Sequence, residues 1–142
     1  MADLDYKILK IIYRNKRIAK IKEIKNALRL DNYSNIRYST IDSCIKRLEK
    51  EDHVSWKKYR NISLTDKGVN IAKELIRHAQ LLEILLFEEL GLTAQEAHFE
   101  SEKFNLLFSC NVINKICEKY KHPEKSPCGE IILDSKICSC IE

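Results

Sequence analysis

The sequence has little glycine, proline and tryptophan, with three, two and one among its 142 residues. Turn-rich all-β folds depend on Gly and Pro, so this scarcity favours a mainly helical protein. The most apolar run, residues 81–90, contains three glutamates and is too short to span a membrane. Asp3 and Asp5 stand where a secretory signal needs a basic region and an apolar core. We therefore expect a cytoplasmic protein with no membrane partner.

The net charge of +4 is modest, but its distribution is informative. Basic residues are concentrated in the first quarter of the chain and again around residues 57–60, whereas residues 83–102 are acidic. The early group comprises Lys16, Arg17, Lys20, Lys22, Lys25, Arg29 and Arg37. This charge permits a nucleic-acid partner but does not demand one, since weakly basic soluble proteins are common.

The amino-terminal half has the layout of a winged helix-turn-helix. Apolar spacing predicts helices over residues 5–13 and 21–28, and a third over Tyr38–Lys50 with Ile41, Cys44, Ile45 and Leu48 on its buried side. Two short strands over 54–58 and 61–64 then form a basic hairpin. We assign residues 1–66 to this DNA-binding domain.

For the remaining residues, 67–142, the sequence predicts a second, helical domain. Thr65 is a candidate N-cap of a long helix that ends at Gly91. Thr93 and Glu96 form a capping box for a helix running to about residue 108, and Ser109 caps another over 111–120. Because the long helix is apolar on more than one side, we expect a homodimer to cover the surplus.

The third helix offers the residues for reading an operator in double-stranded DNA. Its polar side chains suit base edges, its charges suit phosphates, and capping or a solvated surface are the structural alternatives. The candidate base contacts are Ser39, Thr40 and Ser43, and Arg37 just before the helix could reach guanine or phosphate. The candidate phosphate contacts are Lys46, Arg47, Lys57, Lys58 and Arg60.

Several fragments, in order, resemble the DtxR/MntR family of metal-dependent transcriptional repressors, in its short two-domain type. They are Arg47-Leu48-Glu49-Lys50-Glu51, Lys58-Tyr59-Arg60, Leu64-Thr65-Asp66-Lys67-Gly68, Leu81-Leu82-Glu83, Leu90-Gly91-Leu92, Glu96-Ala97-His98 and His122-Pro123 with Pro127-Cys128-Gly129. The resemblance covers roughly residues 5–132. It implies a winged-helix domain, a helical dimerisation domain and a divalent metal as co-repressor, Fe²⁺ or Mn²⁺.

The resemblance also implies a metal site, of which this sequence keeps a part. Glu83, His98 and Glu102 fill ligand positions of the family. Other ligand positions hold residues that cannot bind metal, or bind it poorly: Leu4, Lys7, Ala79, Asn105 and Leu106. The expected site is therefore Glu83, His98 and Glu102, and the alternative is an ordinary hydrogen-bonded pair of His98 with Glu102.

Cysteines in the last third of the chain give a second sensing hypothesis. They are Cys110, Cys117, Cys128, Cys138 and Cys140. Thiolates favour Zn²⁺, Cu⁺ or an iron–sulfur cluster over Mn²⁺, but no Cys-x-x-Cys pair is present. A Cys-ligated metal, an iron–sulfur cluster or a thiol redox site is the alternative to the Glu83 site.

Together with these patterns, the resemblance implies a metal-responsive, homodimeric transcriptional regulator that represses metal-uptake genes. No paired carboxylates in a Gly-rich cleft and no zinc-deaminase motif occur, so we expect no enzyme activity. A metal-independent architectural or adaptor protein is a further alternative, distinguished by DNA affinity that a chelator leaves unchanged.

Overall fold

The computed structural model describes residues 3–31, 33–57, 61–105, 108–135 and 139. The chain divides into two compact units, Met1–Ala72 and Lys73–Glu142. The boundary between the units lies inside a long helix, whereas the sequence placed the domain boundary at residue 66, near the start of that helix. The assignment of functions to the two domains stays a prediction. Within the described residues, no helix has the length and apolar character needed to cross a membrane.

The first unit is a winged helix-turn-helix, as predicted. Its elements are α1 (Asp3–Arg14), β1 (Ile18–Ala19), α2 (Ile21–Arg29), α3 (Tyr38–Lys50), β2 (Val54–Trp56) and β3 (Ile62–Leu64). The strands form an antiparallel sheet in the order β1-β3-β2, with Ile18 opposite Ser63 and Trp56 opposite Ile62. We did not predict β1, because two residues are too few to show an alternating pattern.

The core of this unit is the apolar stripe of each helix packed under the sheet. Its residues are almost completely buried, and they include Ile8, Leu9, Ile12, Ile24, Leu28, Ile41, Ile45, Leu48 and Ile62. Cys44 is buried in the same stripe of α3, which confirms its predicted inward position. Since these positions fix one face of α3, the opposite face is available to solvent.

The long helix α4 (Asp66–Leu90) begins at a tightly specified corner. The Gly68 amide donates a hydrogen bond of 3.0 Å to Thr65 Oγ1, which confirms the predicted cap. Thr65 Oγ1 itself donates to the Asp52 carbonyl at 2.6 Å. A Cβ atom added at Gly68 would lie 1.9 Å from the His53 carbonyl oxygen, so only glycine allows this close approach.

The second unit contains the rest of α4 with α5 (Ala94–Ser101) and α6 (Cys110–Lys119). Gly91 ends α4 with φ +67°, and Thr93 and Glu96 form the predicted capping box of α5. The prediction that α5 reaches residue 108 was wrong. The amides of Lys103 and Phe104 bond three residues back, which is the tight turn that terminates an α-helix.

The apolar surface of α4 is covered mainly by the chain itself. Leu81, Leu82 and Ile84 are buried against Ile113 and Ile116 of α6. The exposed apolar surface of α4, from which we predicted a homodimer, is therefore smaller than expected. Large apolar side chains of this unit that stay exposed are Phe87, Leu90, Phe99, Phe108, Val112 and Ile131.

Replacement of Gly68 by Ala tests the close approach at the start of α4. Helix propensity alone predicts that alanine stabilises a helix by about 1 kcal/mol relative to glycine. The contact with the His53 carbonyl predicts the opposite sign, a loss on the order of 1–3 kcal/mol in the free energy of unfolding. Urea denaturation measures it.

Gly91→Ala is the matched control, because a Cβ there meets no atom within 4 Å and only the left-handed backbone opposes it. We expect it to cost about 1 kcal/mol. A Gly68→Ala variant that is more stable than the wild type would contradict the packing described here.

Candidate DNA-binding surface and metal centre

The exposed face of α3 carries the polar residues that we predicted to contact DNA. Arg37, Ser39, Thr40, Ser43 and Lys46 are all exposed. Two of these have partners within the helix: Ser43 Oγ donates to the Ser39 carbonyl at 3.0 Å, and Lys46 Nζ lies 3.0 Å from an Asp42 carboxylate oxygen. Exposed bonds of this kind are weak and can be exchanged for bonds to a ligand.

Arg47 differs from its neighbours, because it is part of a structural ion pair. Its Nη2 and Nε donate to the two carboxylate oxygens of Asp5 at 2.9 and 3.2 Å, and the Asp5 side chain is fully buried. Nη2 also lies 3.2 Å from Cys44 Sγ. Burial and the neighbouring Asp5 carboxylate raise the pKa of the Cys44 thiol to about 11, so it stays protonated. We missed this role of Arg47 because its partner is 42 residues away.

The basic hairpin is only partly within the described residues. Lys57 is exposed at the end of β2, whereas Lys58 and Arg60 lie outside the described part of the chain. The structure also shows an exposed aromatic side chain at the start of α3, Tyr38, which we had not considered as a DNA contact. The Lys25 ammonium lies 4.0 Å from the centroid of the Tyr38 ring, which is 46% exposed at the first position of the helix.

Three ligand atoms meet in the second unit at a candidate metal centre formed by Glu83, His98 and Cys128. They all lie within 4.8 Å of one another. The His98 Nδ1 atom is 2.8 Å from Glu83 Oε1, and Cys128 Sγ is 3.5 Å from that nitrogen and 3.6 Å from that oxygen. We name this set the Glu83 centre.

Each ligand of the Glu83 centre comes from a different segment. Glu83 lies on α4, His98 on α5, and Cys128 in the turn between Ser126 and Gly129. The turn closes through a bond of 2.8 Å from the Gly129 amide to the Ser126 carbonyl, and Gly129 has φ +95°. The left-handed backbone favours glycine at this position.

Two buried side chains of α4 hold the segment after this turn. Arg77 donates to the Leu133 carbonyl at 3.1 Å and to Asn114 Oδ1 at 2.9 Å. Gln80 donates to the Ile131 carbonyl at 2.8 Å and accepts from the Leu133 amide at 2.9 Å. These bonds fix the segment against α4 and so bring Cys128 to Glu83.

The Glu83 carboxylate is buried but remains charged. Burial alone would raise its pKa, but hydrogen bonds from His98 and from the Cys128 amide and thiol outweigh this effect and leave the pKa below its ordinary value. The Cys128 amide donates to Glu83 Oε2 at 2.9 Å, so that one oxygen is oriented by the backbone and the other faces His98 and the thiol. An oriented carboxylate of this kind is typical of a metal ligand.

The geometry of the Glu83 centre fits a metal after one change. With metal bonds of about 2.3 Å to sulfur and about 2.0–2.2 Å to nitrogen and oxygen, a tetrahedral ion separates its ligands by about 3.3–3.6 Å. The two distances from the sulfur meet this value. The distance of 2.8 Å between His98 and Glu83 is instead a hydrogen bond, so an entering cation has to displace its proton.

The predicted ligands are thus brought together in part. Glu83 and His98 meet as expected, and their third partner is Cys128, which we had placed in the alternative cysteine set. Glu102 caps α5 and belongs to neither cluster found among the described residues. The sequence signal for Cys128 was its place in Pro127-Cys128-Gly129.

The alternative cysteine set does not form one site in the described structure. Cys117 is buried and lies 3.5 Å from His122, while Cys110 lies near Glu74 and His78. Cys138 and Cys140 fall outside the described residues. In that described part, no metal cluster contains two thiols, so nothing there resembles the ligand set of an iron–sulfur cluster.

Comparisons with known proteins agree with this architecture. A family model described as "Iron dependent repressor, metal binding and dimerisation domain" matches residues 65–134. The HTH-type transcriptional regulator MntR of Lysinibacillus sphaericus is 26% identical over 117 residues, which cover 82% of this chain and 79% of the regulator. The solved structure of the manganese regulator SloR has a TM-score of 0.77 at 26% identity, and the match covers 96% of this chain and 65% of that one.

Residues 65–134 thus match a metal-binding and dimerisation domain of iron-dependent repressors, and most of the chain is similar to transcriptional regulators named MntR. An HTH-type transcriptional regulator of Methanocaldococcus jannaschii is a further relative, 29% identical over 118 residues that cover 81% of this chain and 90% of the other. The chain thus spans most of the length of these two curated relatives and about two thirds of SloR. The comparisons favour the metal-dependent hypothesis over an iron–sulfur or thiol redox sensor.

Arg47→Ala tests whether this residue of the repressor acts chiefly in folding. The change leaves the buried Asp5 carboxylate without its guanidinium, and we expect a loss of about 1–3 kcal/mol in the free energy of unfolding. Lys46→Ala is the control, because its exposed pair with Asp42 is worth about 0.3–0.5 kcal/mol. Equal stability of the two variants in urea denaturation would argue against the structural role.

Proposed function

We propose that this protein is a homodimeric repressor of metal-uptake genes that binds its operator when a divalent metal occupies the Glu83 centre. The observation that carries the proposal is the convergence of Glu83, His98 and Cys128 from three segments, in a chain whose first unit is a winged helix-turn-helix. A carboxylate, an imidazole and a thiol on separate segments form a set that one cation can hold together.

The donor set supports Fe²⁺ as the co-repressor more than Mn²⁺. Mn²⁺ prefers oxygen ligands, whereas one thiolate and one imidazole suit Fe²⁺ or Zn²⁺. Manganese remains a candidate because the SloR structure is described as a manganese regulator. Glu102 stays a proposed additional ligand, since it follows His98 by four residues.

The proposed DNA surface is the exposed face of α3 together with the hairpin. Ser39, Thr40 and Ser43 would contact base edges, because small hydroxyl side chains allow the helix to lie close to the groove. Arg37 and Lys57 would contact phosphates, as would Lys46 when it exchanges Asp42 for DNA. Arg47 would contribute a phosphate contact only through the exposed part of its side chain.

A homodimer is part of the proposal because a single winged helix reads a short site. Two copies of α3 would meet successive major grooves, so that operator affinity depends on the spacing of the two copies. A metal that binds one dimer arrangement more tightly than the other shifts the population toward that arrangement. The exposed side chains of Phe87, Leu90 and Phe99 are the apolar surface that such an interface would cover.

The central test measures DNA binding with and without metal. Protein is purified anaerobically, stripped with a chelator and reloaded with Fe²⁺, Mn²⁺ or Zn²⁺, and its operator is selected from random duplexes with the loaded form. We expect chelation to weaken operator binding at least about tenfold, a typical allosteric coupling. Light scattering of the complex should give two chains on each site.

Glu83→Gln and Cys128→Ser should each raise the metal concentration that is needed for operator binding, because each weakens one ligand of the metal. Glu88→Gln on the exposed part of α4 is the matched control and should behave as the wild type. Operator affinity that the chelator leaves unchanged would favour a metal-independent DNA-binding protein and would refute the proposal.

The roles on the DNA surface are separated by salt and sequence. Lys57→Ala should weaken binding to all duplexes alike and lower the slope of log affinity against log salt by about 1. Thr40→Ala should leave the slope unchanged and relax preference at one base pair, at a cost of about 1–3 kcal/mol. A loss with Lys57→Ala that is confined to one sequence would contradict the phosphate assignment.

A further inference from the structure

A second group of potential metal ligands lies apart from the Glu83 centre. Glu74, His78 and Cys110 place a carboxylate oxygen, an imidazole nitrogen and a sulfur within 4.8 Å of one another. Glu74 and His78 are four residues apart on α4, which puts both on the same side of the helix. Cys110 is the first residue of α6.

The second group is distinct from the Glu83 centre, although both use α4. His78 and Glu83 are five residues apart, which corresponds to about 140° around the helix axis. The other ligands also come from different segments, α6 in one case and α5 with the Cys128 turn in the other. The two groups share no residue, so each can be altered while the other is retained.

The distances in this second group are close to those around a bound metal, and the imidazole and the carboxylate have to move slightly closer together to hold one. Cys110 Sγ is 3.4 Å from Glu74 Oε1 and 3.7 Å from His78 Nε2, and that nitrogen is 4.0 Å from the carboxylate oxygen. A tetrahedral ion with bonds of about 2.0–2.3 Å needs about 3.3–3.6 Å between ligands. In contrast to the Glu83 centre, no hydrogen bond between imidazole and carboxylate has to open.

The surroundings of these ligands suit a cation. The His78 side chain is 1% exposed and the Glu74 side chain 13% exposed, so the donors are largely shielded from water. Cys110 lies in the first turn of α6, whose cap is Ser109, and the amide groups at a helix N-terminus stabilise negative charge on a thiolate. The imidazole and thiolate favour Zn²⁺ over Mn²⁺.

We propose that Glu74, His78 and Cys110 form a second divalent-metal site, of the Zn²⁺ type, that joins α4 to α6. The cation replaces the thiol proton of Cys110 and takes a water as its fourth ligand. Because the ligands lie on two separate helices, metal binding stabilises the packing of α6 on α4. The site is independent of operator binding and of occupancy at the Glu83 centre.

The test uses Zn²⁺ for affinity and Co²⁺ as a spectroscopic probe, on the reduced, metal-free full chain with no DNA. The Cys128→Ser variant, in which the Glu83 centre lacks its thiol, serves as the starting protein. It should retain a thiolate-to-Co²⁺ charge-transfer band, and adding Cys110→Ser should weaken that band by the contribution of the Cys110 thiolate. The test compares the intensity of the Co²⁺ band between variants, so that Co²⁺ bound by other thiols contributes equally to both and does not affect the difference.

Glu74→Gln in the same background keeps the side-chain volume and tests the site without a cavity. We expect it to weaken Zn²⁺ binding at least about tenfold, which is the loss typical of removing even an outer-shell partner. Glu88→Gln is the matched control and should leave Zn²⁺ affinity unchanged. Zn²⁺ should also raise the Tm of Cys128→Ser, and this rise should be lost with Cys110→Ser.

A Co²⁺ band and Zn²⁺ affinity that are the same with and without Cys110 and Glu74 would overturn the proposal. A Cys128→Ser protein that binds no thiolate-ligated Co²⁺ would do the same. Neither result bears on the Glu83 centre, which is judged separately from Glu83→Gln and metal-dependent DNA binding. The circular dichroism spectrum of each variant establishes that a weakened band reflects a lost ligand in a folded protein.

Discussion

The second unit depends on one constraint, a negatively charged carboxylate buried on α4. Glu83 is 1% exposed, and a buried charge is costly unless it is paired and hydrogen-bonded. His98 and the amide of Cys128 supply those bonds, so the position of α5 and of the turn at residues 126–129 follow from the need to satisfy this group. The same bonds place three metal donors together.

The side chains that support this carboxylate form a second layer. Arg77 and Gln80 are buried on α4 and bond to the backbone of residues 131 and 133. These bonds hold the segment that follows Cys128 against α4. The candidate metal centre therefore depends on polar residues that do not belong to it, as is common for metal sites.

A parallel arrangement separates structure from recognition in the first unit. Arg47 is on the same helix as the candidate base-reading residues, yet its guanidinium is engaged with the buried Asp5. This pair ties α3 to α1, while Ser39, Thr40 and Lys46 stay at the surface. A basic residue on a recognition helix can thus hold the helix in place rather than contact DNA.

Local sequence was enough to predict most of the secondary structure and the family. Caps such as Thr65, Thr93 and Ser109 and the termination at Gly91 act within a few residues, so their effect can be read along the chain. The apolar spacing of α3 likewise indicated which face is buried. Partners distant in sequence could not be read this way: Asp5 with Arg47, Cys128 with Glu83, and Cys110 with His78. Those pairings depend on how the helices and turns pack, because only the packed chain brings one of many possible polar partners next to each buried group.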